Sequence, residues 1–193
     1  MGYRIEANEL LNTLGAWDEL IPGRVKIHLI ACGGTALTLL GYKESTKDVD
    51  FIVPDEKEYE RLTRFLKQAG YAAVTGYGWK RADETILFDL YAGKKVYTTE
   101  LLTSPLIKDG NIPIREWKKI YLGVLNPFDL VISKMFRGAQ VDIEDSLILI
   151  QKHQLHLGDL EKRYKQTAQY DVSEAKVLKN FDVLIDRVKG LKK

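Results

Sequence analysis

Apolar residues near the start of the chain follow helical spacing once and then fall into two short aliphatic runs. The spacing over residues 5–20 predicts an amphipathic helix, which a Pro-Gly pair ends. Residues 25–31 and 48–53 are rich in β-branched and aliphatic side chains, so each run predicts a strand. Between them, the diglycine at 33–34 predicts a turn and residues 35–40 predict a short helix.

The middle of the chain continues this alternation. Asp55 is a predicted N-cap, and Glu58 three residues later fits a capping box, so a helix is expected from here to Gly70. The stretch 75–84 contains two glycines and several charges, which predicts a loop. Four further strands are predicted at 71–74, 85–91, 95–98 and 120–124.

The pattern changes after an Asn-Pro pair at 126–127, because helical spacing then replaces short aliphatic runs. Helices are predicted at 128–136, 143–152, 157–170 and 173–188. The sequence therefore predicts an α/β region over residues 1–125 and a helical region over 126–193 that packs on it.

Composition excludes several classes of protein. The 193 residues are 45% apolar with a net charge of +2, so neither a disordered chain nor a polycation is expected. Residues 152–193 carry a net charge of +4, which is compatible with a nucleic-acid partner without requiring one. A single cysteine excludes an intramolecular disulfide and a zinc site with several thiolates. No signal peptide and no membrane span is recognisable, which predicts a cytoplasmic protein that does not enter membranes.

The candidate chemistry begins with two aspartates. Asp48 and Asp50 lie two positions apart in a predicted strand, so both side chains point to one face. Carboxylates at this spacing suit Mg²⁺, which binds one or two carboxylates together with substrate phosphates. Asp89, a single acid in the apolar run TILFDLY, is the third candidate. Three carboxylates holding two ions can stabilise both the attacking and the leaving oxygen of an in-line displacement.

The residues around the diglycine are candidates for binding phosphate. Gly33 and Gly34 have no side chain to obstruct a close approach. The helix predicted to start at Thr35 would direct backbone N–H groups and its positive dipole end toward an anion. Thr46 shares the face of the aspartates if the strand extends that far. These four residues form the predicted nucleotide-binding side of the site.

The order of diglycine, helix, Asp48-Val49-Asp50-Phe51 and a later lone Asp89 resembles the nucleotidyltransferase superfamily with the DNA polymerase β-type fold. The resemblance covers residues 25–150, and within the superfamily the chain looks like the small prokaryotic branch of AbiEii-type and MenT-type toxins. It implies an α+β fold, with a mixed sheet flanked by helices and a C-terminal helical half.

The resemblance also implies residue roles. Asp48, Asp50 and Asp89 would be the catalytic acids and would bind Mg²⁺ or Mn²⁺, and Gly33 and Gly34 would hold the triphosphate of an NTP. The implied reaction transfers a nucleoside monophosphate to an acceptor hydroxyl and releases pyrophosphate.

A second candidate cluster lies in the helical region. Lys134 and Arg137 are three residues apart, hence on one helix face. Toxin-type relatives carry a lysine in such a helix and an aspartate just downstream, which implies that Lys134 contacts triphosphate oxygens. Arg137 either assists or pairs with a downstream acid, and Asp142 and Asp145 are both candidates for the matching aspartate. A solvated helix face explains these charges equally well.

Several alternatives stay open. Toxin relatives would make RNA, such as a tRNA 3′ end, the acceptor and a cognate antitoxin the protein partner. A protein hydroxyl or a small molecule such as an aminoglycoside is the enzymatic alternative. A catalytically inactive nucleotide-binding or partner-binding module is the alternative from another class. Tyr77, Trp79 and Arg81 in the predicted loop could stack on a base, although packing explains their aromatic rings as well.

Overall fold

The computed structural model describes residues 3–190, which fall into two compact units. The first contains residues 3–94 and 103–125, and the second contains residues 95–102 and 126–190. The outer ends of the two predicted regions, residues 1–2 and 191–193, lie outside the described residues. The division predicted at residue 125 stays a prediction.

Three helices and two sheets build the first unit over the described residues. The helices are α1 (Ala7–Leu20), α2 (Gly33–Leu39) and α3 (Glu56–Gln68). The strands are β1 (Ile5–Glu6), β2 (Ile27–Ala31), β3 (Ser45–Thr46), β4 (Val49–Val53), β5 (Tyr71–Ala73), β6 (Gly78–Arg81), β7 (Phe88–Ala92), β10 (Asn111–Glu116) and β11 (Ile120–Leu125).

The main sheet of this unit has seven strands in the order β10-β11-β2-β4-β7-β6-β5. Parallel pairs join β11 to β2 and β4 to β7, and the other neighbours are antiparallel. This mixed sheet confirms the predicted fold class. The central strands are apolar and almost fully buried, whereas the edge strand β10 is largely exposed. An acid in a central strand is therefore costly to bury unless it is paired or binds a metal ion.

One aromatic cluster closes the core of the first unit. The Trp17 ring on α1 contacts Phe88 on β7, with ring centroids 4.7 Å apart, and also contacts Phe65 and Tyr71.

The helix α3 begins as the sequence predicts, because the Asp55 side chain accepts the Glu58 N–H at 3.0 Å. The Glu58 carboxylate, which a capping box would direct back to the start of the helix, instead accepts the backbone N–H of His28 on β2 at 2.8 Å.

Several segments of the first unit differ from the prediction. Residues 5–6 form β1 rather than helix, because they pair with β3. The helix α2 starts at Gly33 rather than Thr35. The predicted loop 75–84 contains β6, whose burial does not alternate as in a half-buried strand. The strand β10 contains Pro113 and was not predicted; a proline is tolerated here because β10 is an edge strand with a register shift.

The second unit contains four helices and a small hairpin over its described residues. Asn126 caps the first helix by accepting the Asp129 N–H at 3.0 Å, and Gly138 ends it with φ +70°. Tyr164 stacks on Phe181 at a centroid distance of 4.4 Å, which joins the third and fourth helices. The elements are β8 (Lys95–Val96), β9 (Thr99–Glu100), α4 (Pro127–Arg137), α5 (Gln140–Lys152), α6 (Leu157–Ala168) and α7 (Glu174–Gly190).

The four predicted helices of this region are all present, with ends that differ by up to three residues. None of the helices within residues 3–190 is long and apolar enough to cross a membrane.

Candidate functional site

Two of the predicted acids lie side by side in the centre of the main sheet. Asp50 on β4 and Asp89 on β7 are direct partners in a parallel strand pair. Neighbouring strands lie ~4.8 Å apart, and partners in register project to the same face. Both side chains are half-buried. The sheet therefore brings together two carboxylates that are far apart in the sequence.

The third acid, Asp48, precedes β4 and is exposed. Burial raises the pKa of Asp89, and the negative charge of Asp48 raises it further. Asp48 lies two residues before Asp50, the strand partner of Asp89, which is why its charge acts on Asp89. All three predicted acids thus belong to one region of the first unit.

The diglycine lies directly against this region. A Cβ added to Gly33 would lie 2.5 Å from Oδ2 of Asp50, and one added to Gly34 would lie 2.7 Å from Oγ1 of Thr46. Gly33 also has φ +58°, which L side chains rarely adopt. Both glycines form the first turn of α2 rather than a turn before it. Only a residue without a side chain allows α2 to approach the acids this closely.

Two threonine hydroxyls fix the backbone between the acids. The Thr35 hydroxyl accepts the Asp50 N–H at 2.9 Å and donates to the Asp48 carbonyl at 3.1 Å. The Thr46 hydroxyl donates to the same carbonyl at 3.0 Å. Thr35 is fully buried. The threonines that the sequence assigned to nucleotide binding therefore position the Asp48–Asp50 segment in this structure.

The strand β6, which lies in the predicted loop 75–84, runs beside Asp89. Gly78 pairs in register with Asp89, and a Cβ on Gly78 would lie 3.1 Å from Oδ1 of Asp89. The preceding Tyr77 is partly exposed, and its ring lies 5.0 Å from that of Tyr91. The Tyr91 hydroxyl lies 3.5 Å from Oδ1 of Asp50, and burial together with the Asp50 charge raises the Tyr91 pKa.

Tyr91 was not singled out from the sequence, although it lies two residues after Asp89 in a strand and therefore shares its face. The two-residue spacing from Asp89 is the sequence signal that could have identified Tyr91.

Of the residues proposed to stack on a base, Trp79 is buried in β6 and lies beneath the Lys67 ammonium at 5.9 Å. Arg81 forms ion pairs with Asp83 and Glu84. For Trp79 the packing alternative is therefore correct.

The donor chemistry of this region fits a hard divalent cation. Within residues 3–190, no group of three or more His, Cys, Asp or Glu side chains forms a preformed metal-binding cluster. Mg²⁺ does not require one, because it binds through one or two carboxylates and completes its coordination with water and substrate phosphates. Carboxylates also suit Mn²⁺. Asp50 and Asp89, with Asp48 nearby, supply this type of ligand.

The four remaining predicted residues form a cluster of their own in the second unit. The Lys134 ammonium lies 2.8 Å from Asp145 and 4.0 Å from Asp142, and its side chain is 3% exposed. Arg137 donates two hydrogen bonds to Asp142, at 2.6 and 2.7 Å. Asp142 is thus the acid that binds Arg137, and Asp145 is the acid that binds Lys134. In this structure all four charges take part in ion pairs between α4 and α5.

Comparison with known proteins identifies the class of fold. The mixed α/β arrangement is similar to nucleotidyltransferase structures, which confirms the predicted fold. The crystal structure of ANT(2″)-Ia in complex with adenylyl-2″-tobramycin matches with a TM-score of 0.56 and 13% identity, covering 84% of this chain and 97% of that chain. That protein is an aminoglycoside nucleotidyltransferase.

A solution structure of the antibiotic-resistance factor ANT(2″)-Ia matches with a TM-score of 0.46 and 14% identity, covering 96% of this chain and 94% of that chain. No protein-family model and no curated protein sequence matches the chain. The likeness is therefore one of fold, and the AbiEii-type and MenT-type branch stays a prediction.

Proposed function

We propose that this chain is a metal-dependent nucleotidyltransferase, which transfers a nucleoside monophosphate from an NTP to an acceptor hydroxyl and releases pyrophosphate. The observation that carries the proposal is the pairing of Asp50 with Asp89 in register on two central strands. Half-buried acids in such strands are costly unless they are paired or bind a cation. The nucleotidyltransferase fold of the chain supports the same activity.

The chain's own residues account for much of this chemistry. Asp48, Asp50 and Asp89 would hold Mg²⁺ or Mn²⁺, which when bound would polarise the phosphoryl oxygens as a Lewis acid. Burial and Asp48 raise the pKa of Asp89. Asp89 is the in-register partner of Asp50, so we propose that it positions or deprotonates the acceptor hydroxyl.

The phosphate-binding side of the site is proposed at the start of α2. Gly33 and Gly34 let the first turn of α2 lie directly against Asp50 and Thr46, so the backbone N–H groups of this turn would hold the NTP triphosphate beside the acids. Thr35 and Thr46 hold the Asp48 carbonyl from two sides. This support keeps the acids in place while substrates bind.

Two acceptor classes are proposed, each from a separate observation. The sequence resemblance to toxin nucleotidyltransferases favours RNA, such as a tRNA 3′ end, and with it a neutralising antitoxin partner. The similarity to ANT(2″)-Ia, whose structure contains adenylyl-2″-tobramycin, favours an aminoglycoside. Both acceptors present a sugar hydroxyl, so the same acids serve either reaction.

The test is label transfer from each of the four NTPs, with Mg²⁺ or Mn²⁺, to total tRNA and separately to tobramycin. We expect metal-dependent transfer to one of the two, and a decrease of ~10²-fold or more in Asp50→Asn and Asp89→Asn. Asp159→Asn is the control, because this aspartate is exposed in the second unit and its loss should leave the rate unchanged.

Two results would count against the proposal, the first against its catalytic residues and the second against its activity. Transfer that persists in both Asp50→Asn and Asp89→Asn would contradict the assigned acids. A melting temperature that rises with Mg²⁺ and NTP, without transfer to any acceptor, would favour a catalytically inactive nucleotide-binding module instead.

A further inference from the structure

The inference concerns Tyr91, a buried residue beside the acids. Its ring lies on β7 two residues after Asp89, and the residue is 6% exposed. A buried tyrosine hydroxyl normally finds a hydrogen-bond partner. Here the hydroxyl donates toward Oδ1 of Asp50 at 3.5 Å. Hydrogen bonds at catalytic sites are often long without substrate and shorten when it binds.

The Asp50 carboxylate has a close neighbour beside each of its two oxygens. Its Oδ2 lies 2.5 Å from the position that a Cβ on Gly33 would occupy, so α2 is close to this oxygen, and its Oδ1 faces the Tyr91 hydroxyl. Its backbone N–H donates to Thr35, so the main chain is fixed as well. The Asp50 carboxylate therefore lies between the start of α2 and the Tyr91 hydroxyl.

Tyr91 is restrained in turn by the neighbouring hairpin. The Tyr77 ring contacts the Tyr91 ring at 5.0 Å, and the Tyr77 carbonyl accepts the Leu90 N–H at 3.0 Å. The Thr75 hydroxyl accepts the Gly78 N–H at 2.7 Å, which shapes this turn. A series of contacts therefore runs from the partly exposed Tyr77 through Tyr91 to Asp50.

We infer that Tyr91 is a positioning residue, which orients the Asp50 carboxylate for a divalent cation through its hydroxyl group. The inference rests on the proposed function. It assigns Tyr91 no contact with substrate, and it follows a general pattern in which groups that hydrogen-bond a metal-ligating carboxylate tune its affinity.

The test compares Mn²⁺ binding to the full chain, measured by the electron paramagnetic resonance signal of free Mn²⁺. Tyr91→Phe removes the hydroxyl and keeps the ring, and we expect it to weaken Mn²⁺ binding by ~10-fold. Tyr71→Phe is the matched control, because Tyr71 is equally buried in the same unit and its hydroxyl bonds Glu84 at 2.9 Å. This control should leave Mn²⁺ affinity unchanged, although both variants lose a few degrees of melting temperature.

A double-variant cycle separates positioning from general loosening. If Tyr91 acts through Asp50, then Tyr91→Phe adds no further loss in an Asp50→Asn background. Equal Mn²⁺ affinity in wild type and Tyr91→Phe, or additive losses in the cycle, would overturn the positioning role and leave the proposed function standing. A wild-type chain that binds no Mn²⁺ would contradict both.

Discussion

At the scale of single residues, Gly33 is under two separate constraints. Its φ of +58° is unfavourable for any residue with a Cβ, and that Cβ would lie 2.5 Å from Oδ2 of Asp50. Both constraints act on the free energy of unfolding, and the second also acts on the position of a proposed metal ligand. Gly41 has φ +73° with no heavy atom within 4 Å of the Cβ position, so it carries the first constraint alone.

The two glycines therefore give a matched pair of variants. We expect Gly41→Ala to lower the free energy of unfolding by ~1–2 kcal/mol, as measured by urea denaturation, and Gly33→Ala to lower it by at least as much because its Cβ also clashes with Asp50. Only Gly33→Ala should also lower nucleotidyl transfer, by ~10²-fold, because a displacement of about 1 Å at a reacting centre has this effect. Equal activity in the two variants would show that the close approach of α2 to Asp50 is not needed.

The sequence could predict these residues only in part. The motif Asp48-Val49-Asp50 and the diglycine indicated a common site, because period-2 alternation and the freedom of glycine are local properties. The hydroxyl roles of Thr35 and Thr46 depend on where α2 and β4 meet. Such contacts between elements are set by packing, which a single sequence does not encode locally.

At the scale of elements, the strongly periodic segments were predicted and the weakly patterned strands were not. The helix α3 and the central strands β2 and β4 have clear apolar patterns and lie where expected. The strands β6 and β10 carry charges, a glycine or a proline, and are stabilised by their neighbours in the sheet. Because β6 was not predicted, the contact of Tyr77 with Tyr91 beside Asp89 was not predicted either.

The α4–α5 pair leads to a prediction about Lys134. Its ammonium is buried against Asp145, and removing one partner of a buried ion pair leaves the other charge poorly compensated. We expect Lys134→Met to lower the free energy of unfolding by ~3–5 kcal/mol in urea denaturation. The double variant Lys134→Met/Asp145→Leu should recover most of this loss, because it replaces both charges with apolar groups.

Lys165→Met is the control for that measurement. Its ammonium pairs with Glu161 at the surface, 2.7 Å away, and such pairs contribute little. If Lys134→Met unfolds like wild type, the ion pair does not stabilise the protein, and the contact with triphosphate that the resemblance implies becomes the better explanation of this lysine. The measurement thus tests whether Lys134 has a structural role in the α4–α5 pair.

At the scale of the whole molecule, charge distinguishes the two proposed acceptors. The net charge of +2 is small, but residues 152–193 carry a net +4 and the remaining residues a net −2, and Lys176 and Lys179 are both exposed on α7. An RNA acceptor would release counterions from its phosphates on binding, whereas an aminoglycoside is itself a polycation. Removing positive charge should therefore weaken the binding of RNA and not that of an aminoglycoside.

The corresponding experiment measures the acceptor KM between 50 and 200 mM salt for wild type and Lys176→Gln/Lys179→Gln. If RNA is the acceptor and both lysines contact its phosphates, the wild-type KM for RNA rises steeply with salt, and the double variant lowers the logarithmic slope by ~1.4, or ~0.7 for each lost contact. The KM for the NTP, measured in parallel, reports any change at the acids. A KM for tobramycin that stays equal or falls in the double variant, together with no measurable transfer to RNA, would instead assign the chain an aminoglycoside acceptor.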